Sequence, residues 1–461
     1  MKFGTRALSL KMTARKPAAE IERIQKRRLT RLLRHARARS PFYREKLARI
    51  DENNFRLSDL PTSNKCEMMQ DLDAVFTSDD LHRAEIEKFF DDDSNLGKFY
   101  CDKYVVSHTS GSQGQPLVIV QTKKDLELLF ALQASRGNRQ SLGLWQIFQR
   151  LSSPVRLASV TLQRGFYPSA IAFEYMPEGP KHFIKTLRLS MGDQDLLKHL
   201  EEFQPTHLTA YVSVLHELAR EIEQGRLKLP KLEQIVSISE RLMPKARRHY
   251  EKVFDAAILD DYAMGECLFL SNGCLTTGGM HVNADWAILE VVDENNQPVP
   301  DGKKGAKVLL TNLSNFVQPF IRYEVGDLVT MATERCGCGN NLPLIEQIGG
   351  RDSDLFWVDT AEGQRPLPPA IFDFALASVM DVREYQVVLE DNQHVRILIE
   401  PLPGISVDCE LAKQAVYEQF DHFGLDHQLQ VEVETVDRLA PEKGVKFKRF
   451  VNKQPRPAKQ D

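Results

Sequence analysis

The chain has 461 residues, 42% of them hydrophobic, and its 60 Lys and Arg against 64 Asp and Glu leave a net charge of −4. That length exceeds the ~250–300 residues at which single cores divide, and the charge balance excludes the basic excess expected of a nucleic-acid binder. No apolar run approaches the ~20 residues that cross a bilayer, and the basic stretch Met1 to Lys16 lacks the apolar centre of a secretory signal, so no membrane partner and a cytoplasmic location are the default expectations.

In chain order, Ile21, Ile24, Leu29, Leu32 and Leu33 recur near helical spacing with Arg and Lys between them, predicting a helix over 18–39 that Ser40-Pro41 ends. Tyr104 to Ser107 and Leu117 to Gln121 read as short strands flanking a Gly-rich loop. Helical periods follow over 124–136, 193–203, 212–224 and 245–254. From Trp286 the pattern turns β-like: 286–292 alternates, Asp301-Gly302 forms a turn, and 307–311 is another strand. A mixed α/β body therefore runs to about Gly349. The tail reads as a β-β-α-β unit, with strands at 385–389, 394–399 and 428–434 and a helix at 408–420. At roughly a hundred residues it has the size of a small domain. No internal repeat is present.

The most informative segment is Thr109-Ser110-Gly111-Ser112-Gln113-Gly114-Gln115-Pro116. Glycines let backbone approach an anion, and hydroxyl and N–H groups donate to phosphate oxygens. It carries no lysine and strands flank it, so it is not a Gly-Lys-Ser/Thr nucleotide loop. It resembles the Thr/Ser-Ser-Gly-Ser/Thr-Thr-Gly-x-Pro signature of the acyl-adenylate-forming (AMP-binding) superfamily. Further elements resemble that family in the same order: Tyr262-Ala263-Met264-Gly265-Glu266, Arg322-Tyr323-Glu324-Val325-Gly326-Asp327-Leu328 and Gly350-Arg351-Asp352-Ser353-Asp354. Ser40-Pro41-Phe42-Tyr43, Leu60-Pro61, Ala210-Tyr211-Val212-Ser213 and Ser239-Glu240-Arg241-Leu242 resemble its phenylacetate–CoA ligase and deazaflavin-adenylating synthetase branch.

The resemblance implies an α/β fold with a large multi-subdomain adenylation domain over 1–349 and a small mobile α+β lid domain over 350–461. It implies ATP and Mg²⁺ as cofactors. Thr109, Ser110, Gly111, Ser112 and Gly114 would lie over the ATP phosphates, with Glu266 as the magnesium-associated catalytic carboxylate. Tyr262 would lie against adenine, Asp327 would accept the ribose hydroxyls, and Arg351 would make a second nucleotide contact. Asp354 would be the hinge about which the small domain rotates. A family lysine near the carboxyl terminus maps best onto Lys446, with Lys443 and Lys448 as alternatives. Gln113, Gln115, Ala263 and Gly265 depart from the family pattern and imply slower chemistry, a different substrate or a degenerate enzyme.

Seven cysteines, an odd number, argue against a disulfide framework. Cys336 and Cys338 form a tight pair, and Cys274 and His281 stand upstream across Gly278-Gly279. Three thiolates and an imidazole make a standard structural zinc set, and four protein ligands leave no open position for water. The spacing also resembles a zinc knuckle of the phenylacetate–CoA ligase branch, with Cys267 as a rival ligand. Cys66, Cys101 and Cys409 are isolated and read as buried or inert.

Three activities are compatible with these residues. The first is adenylation of a small carboxylic acid to acyl-AMP, then transfer to the thiol of CoA or of a separate carrier protein's phosphopantetheine. The second is AMP transfer to a hydroxyl, and the third a non-catalytic nucleotide-binding protein. Phe166, Tyr167 and Tyr211 are candidate lining of an acyl pocket suited to an aromatic acid. A homodimer is the commonest assembly for any such chain.

Overall fold

The computed structural model describes residues 3–109, 116–137, 154–162, 164–176, 184–351, 356–360, 363–367, 371–372, 375–376, 382–422, 429–439 and 447–453. The chain begins with helices Phe3–Ala14, Ala18–Arg39 and Pro41–Lys46. The second arises as its spacing predicts: Ile21, Leu29, Leu32, Leu33 and Ala36 are buried on one face while its charged side chains line the other. Ser40 ends it and caps the third, accepting from the Tyr43 N–H, with Pro41 in the first turn. The first helix was not expected; among its described side chains it buries Ala7, Leu10 and Ala14, a short stripe within a basic stretch.

Strands β1 (Tyr104–His108) and β2 (Val118–Thr122) arise where two short strands were expected, and they pair as an antiparallel hairpin. Next come β3 (Val155–Thr161), β4 (Ile184–Ser190), β5 (His207–Tyr211), β6 (Gln234–Ile238) and β7 (Ala257–Asp261), in one parallel sheet of order β4-β3-β5-β6-β7. Helices Leu196–Phe203, Val212–Glu223 and Pro244–Phe254 alternate with its strands and share a core with it through Val160, Leu208, Ile235, Leu215 and Tyr250. The helices were legible in the sequence and the strands were not. Parallel strands lie in a covered sheet and lose the period-two alternation that marks a half-exposed strand.

Two antiparallel sheets complete the body. One is β10 (Ala287–Val292), β11 (Lys307–Asn312) and β12 (Tyr323–Val325). The other has the order β13-β14-β9-β8, from β8 (Ser271–Gly273), β9 (Met280–Val282), β13 (Asp327–Met331) and β14 (Leu344–Arg351). The boundary expected at 349/350 falls inside β14.

Beyond it, Phe356, Phe372, Tyr385, Ile397, Val416 and Phe420 form a separate core. A hairpin of β15 (Phe356–Thr360) and β16 (Gly363–Leu367) precedes a sheet of order β19-β18-β17-β20. Its strands are β17 (Val382–Leu389), β18 (His394–Pro401), β19 (Gln430–Thr435) and β20 (Phe450–Asn452), with helix Cys409–His422 between β18 and β19. The tail thus holds more than the β-β-α-β unit read from sequence: the β15–β16 hairpin precedes it, and β20 adds in parallel to β17.

The tail meets the body through buried charge. Glu400 on β18 accepts from the Leu439 N–H at 2.7 Å and contacts His216 Nε2 at 2.9 Å, while His216 Nδ1 meets the Tyr250 hydroxyl at 2.9 Å. Arg220 lies 3.4 Å and Arg383 3.8 Å from the same carboxylate. Burial alone would raise the Glu400 carboxyl, but His216, the Leu439 N–H and Arg220 outweigh it and hold it below its ordinary 4.5. A depressed carboxyl contributes stability that is complete above the unfolded value and lost as pH falls through the folded one. Acidification below about pH 4.5 is therefore expected to loosen the tail from the body. Hydrogen exchange should show early loss of protection in β18 and helix Val212–Glu223, and Glu400→Gln should remove the acid dependence of that step.

Candidate active site and a cysteine–histidine cluster

The Gly-rich loop leaves β1 and returns through β2, and its neck is closed by Thr109. The Thr109 N–H donates to Leu117 O at 3.0 Å, and the Leu117 N–H donates back to Thr109 Oγ1 at 2.9 Å. Ser110, Gly111, Ser112 and Gly114 lie outside the described residues. The free edge of β2 is satisfied by two side chains that sequence reading passed over. Gln318 accepts from the Val120 N–H at 2.7 Å and donates to Val118 O at 2.9 Å, and Asn315 donates to Val120 O at 2.9 Å. Both are fully buried, which a polar residue tolerates only when so satisfied. Their signal was the run of amides in Asn312 to Gln318.

The turn carrying Glu266 packs against this hairpin. Gln121 Nε2 reaches Gly265 O at 3.4 Å, and a tight Met264–Cys267 turn presents Glu266, which is buried. Asn312 holds the turn from behind, donating to the Glu266 carbonyl at 2.7 Å. Gly265, a departure from the family's hydroxyl residue, has a steric reason here. A Cβ at Gly265 would lie 2.5 Å from Ile119 Cδ1 and 3.0 Å from the Pro168 ring. Gly265→Thr is therefore expected to cost about 1–3 kcal/mol as overpacking, seen as a lower melting temperature, without any gain in activity.

Tyr262 and Asp327 come together from different elements. The Tyr262 hydroxyl donates to Asp327 Oδ2 at 2.7 Å, and Asp327 at the head of β13 is the register partner of Arg351 on β14. Two residues read separately from the sequence are thus in contact, and the third is the backbone neighbour of one of them. Arg322, the first residue of the same motif, does structural work. It is buried at a φ of 44° and pairs with both oxygens of Glu290 at 3.1 Å, and it also donates to Leu60 O at 2.6 Å. It ties the Leu60-Pro61 segment to the body. Asp354 and Lys446, with the rival Lys443, lie outside the described residues. Phe447, directly after Lys446, donates its N–H to Glu240 Oε1 at 3.3 Å, and the same carboxylate accepts from Ser213.

The aromatic residues named for the acyl pocket lie near the loop neck. The His108 N–H donates to Phe166 O at 2.8 Å, and the His108 and Tyr167 rings stand 5.2 Å apart. Tyr211 is buried and hydrogen-bonds Ser169.

Cys274, His281, Cys336 and Cys338 converge, with all four ligand atoms within 4.8 Å of one another. Cys274 follows β8, His281 lies on β9, and the other two lie in the loop between β13 and β14. Gly278, at a φ of 76°, allows the tight turn in which Cys274 and Gly279 are bonded at 2.8 Å. His281 Nδ1 lies 3.0 Å from Leu342 O, which can only accept, so Nδ1 carries the hydrogen. Nε2 is left facing Cys338 Sγ at 3.3 Å, and Cys274 and Cys336 sulfurs are 3.5 Å apart. Burial would raise the Cys274 thiol, but its contact with His281 and hydrogen bonds from the backbone of Thr277 and Thr276 bring it down to about 5. Burial and the thiols beside it push Cys338 up to about 12. Such a donor set fits a soft divalent cation, which relieves this crowding of sulfurs. Cys267, the rival ligand, belongs to the apolar core with Phe269 and Leu270. Cys66 and Cys101, expected to be buried or inert, are exposed, and Cys409 is half-buried; short loop and helix-end positions gave no pattern from which to read this.

The AMP-binding enzyme family model matches residues 22–310. With more than half of its length matched, the chain belongs to that family and is an adenylate-forming ligase. It is 25% identical to the phenylacetate-coenzyme A ligase of Thermus thermophilus over 389 residues, 81% of this chain and 79% of that one. It is also 25% identical to the Escherichia coli protein of the same name over 348 residues, covering 73% and 72%. The crystal structure of 2-hydroxyisobutyryl-CoA ligase in the postadenylation state, in complex with R3-HIB-AMP, superposes with a TM-score of 0.68 at 21% identity, covering 95% of this chain and 91% of that one. That likeness shows the fold. Among the described residues no helix is long and apolar enough to cross a membrane.

Proposed function

We propose that the protein activates a small carboxylic acid with ATP and passes the acyl group to the thiol of CoA. The observation that carries this reading is the packing of the β1–β2 hairpin on the Glu266 turn, with the Tyr262–Asp327 pair on the same loop system. In the first step a carboxylate oxygen bonds to the α-phosphorus of ATP, and the bond to the β-phosphate oxygen breaks with its electron pair, releasing pyrophosphate. In the second the CoA sulfur bonds to the acyl carbon and AMP leaves with the carbon–oxygen pair.

Negative charge builds on phosphate oxygens in the first step, so donors fixed in advance do most of the work. The Thr109–Gly114 loop supplies hydroxyl and N–H donors to the phosphates, and Asp327 accepts ribose hydroxyls, with the Tyr262 hydroxyl fixing its orientation. Glu266 would hold Mg²⁺, which neutralises phosphate charge when bound. Lys446 would donate to the forming acyl phosphate, in a segment anchored by Phe447 on Glu240. Residues 1–349 act as the adenylation domain and 350–461 as a lid, and Cys274, His281, Cys336 and Cys338 would hold a structural Zn²⁺. Phe166, Tyr167 and Tyr211, with the names of the two phenylacetate-coenzyme A ligases above, favour an aromatic or arylalkyl acid.

The test is product analysis of the full chain with Mg–ATP, CoA and a panel of aryl, arylalkyl and short aliphatic acids. Mass spectrometry should find the CoA thioester of an aromatic acid together with AMP. A stable adenylylated hydroxyl compound without thioester would overturn the reading in favour of AMP transfer.

A further inference from the structure

A cavity of about 700 Å³ opens between helices Phe3–Ala14 and Ala18–Arg39, the start of helix Lys123–Arg136, and the loop after β11. Its cations are Arg6, Arg31, Arg34 and Lys124, and the only acid among its lining residues is Asp125. Asp125 is already engaged: it accepts from the Thr122 N–H at 2.8 Å, Thr122 Oγ1 at 2.6 Å and Ser314 Oγ at 2.5 Å. Arg6 has Glu127 at the edge of ion-pair range, 3.8 Å away, while Arg34 pairs with Glu52 at 3.4 Å and donates to Asn53 Oδ1 at 2.8 Å. Among the described residues Arg31 and Lys124 have no such carboxylate.

The aromatic residues do not offer faces to a base. Arg28 sits 3.3 Å over the Trp286 ring, and Arg31 and His35 cover Phe316 at 5.3 and 5.2 Å. Trp286 lines the cavity, and its indole N–H is buried without a hydrogen-bond partner among the described residues. Four cations against one engaged carboxylate, with no vacant ring face, call for an anion of more than one charge and several acceptor oxygens. Guanidinium groups suit phosphate in particular, through paired donors.

We propose that this cavity is a second phosphate-binding site that takes a di- or triphosphate chain, either as free pyrophosphate or as the phosphates of a nucleotide. It is separate from the catalytic loop. Thr122 stands at the opposite end of β2 from the loop, five residues of extended strand and so roughly 16 Å away. The two sites are nevertheless joined. The Ser314 N–H donates to Asn312 Oδ1 at 3.0 Å, and Asn312 donates to the Glu266 carbonyl at 2.7 Å.

The experiment is a fluorescence titration of the full chain with pyrophosphate and, separately, with ATP, repeated in Trp286→Phe, Arg31→Glu/Lys124→Glu and Arg31→Gln/Lys124→Gln. Arg31 and Lys124 are exposed, so these changes spare the core, and thermal melts check that they do. The expected result is a saturable change in wild type that is lost in Trp286→Phe. It should be weakened at least about tenfold by the double charge reversal and less by the neutral pair. The KM for ATP in exchange should stay unchanged. Response to pyrophosphate identifies the free anion as sufficient, and response to ATP alone identifies a nucleotide's phosphate chain; either supports the site. No Trp286-dependent response to either compound, an equal response to sulfate, or an affinity unmoved by the charge reversal would overturn it.

Discussion

Glu266→Ala lowers acid-dependent exchange of labelled pyrophosphate into ATP by roughly 10²–10³-fold, the usual cost of removing one preorganised electrostatic group, while the protein remains folded. The separation of roles within this residue makes the expectation sharp. Its backbone carbonyl is held by Asn312, and the turn around it is closed by the Cys267 N–H donating to Met264 O at 2.9 Å. Neither contact involves the Glu266 side chain. Truncation therefore removes the carboxylate while leaving the scaffold that presents it. The companion variant Asn312→Ala attacks the scaffold instead, leaving the buried Glu266 carbonyl without that donor. It should lower both activity and melting temperature. A Glu266→Ala protein that melts early, or one that exchanges at the wild-type rate, would show that the carboxylate is structural or idle.

The second large effect is expected at the cysteine–histidine cluster. The purified protein should carry one zinc per chain, and Cys336→Ser/Cys338→Ser should carry none. At metal concentrations about a hundredfold above the dissociation constant, binding adds about 2.7 kcal/mol. At about 2 °C per kcal/mol for a large domain, the double variant should melt at least about 5 °C lower. The same loss should follow chelation of the wild type and be reversed by adding zinc back. The cluster joins β8, β9 and the β13–β14 loop, and β13 carries Asp327 at its other end. Nucleotide affinity should therefore weaken modestly along with stability. Equal melting of metal-loaded and chelated protein would mean that the four residues converge without holding an ion.

The sequence carried the fold class, and parts of the fold beneath it stayed unread. The motifs named Tyr262 and Asp327 separately, and the structure brings their side chains into contact. The cluster was legible because thiols and imidazole at tight spacing have few other uses. The core sheet was less so. Strands such as Gln234–Ile238 and His207–Tyr211 are five residues long and lie within a covered parallel sheet, where neither length nor alternation marks them. Strand β20 could not be read because Phe450–Asn452 is only three residues, ordered by pairing with β17 far away in sequence. The supports of the site were equally hidden. Gln318 and Asn315 look like ordinary loop amides until β2 needs partners for its edge. Arg322 sits in a segment that resembles a nucleotide-binding motif, yet its guanidinium is spent on Glu290 and Leu60.

Gly265 shows why a departure from a family pattern need not mean degeneration. The position is closed to a side chain by Ile119 and Pro168, so glycine follows from how tightly this turn meets the hairpin. Glu266 beside it keeps its backbone support from Asn312.

The most direct test of the account is acid-dependent exchange of labelled pyrophosphate into ATP across a panel of carboxylic acids, run with wild type and Glu266→Ala side by side. Exchange that requires one class of acid and disappears in the variant is the predicted result. Absence of exchange with every acid, from protein that still binds ATP, would contradict acyl adenylation.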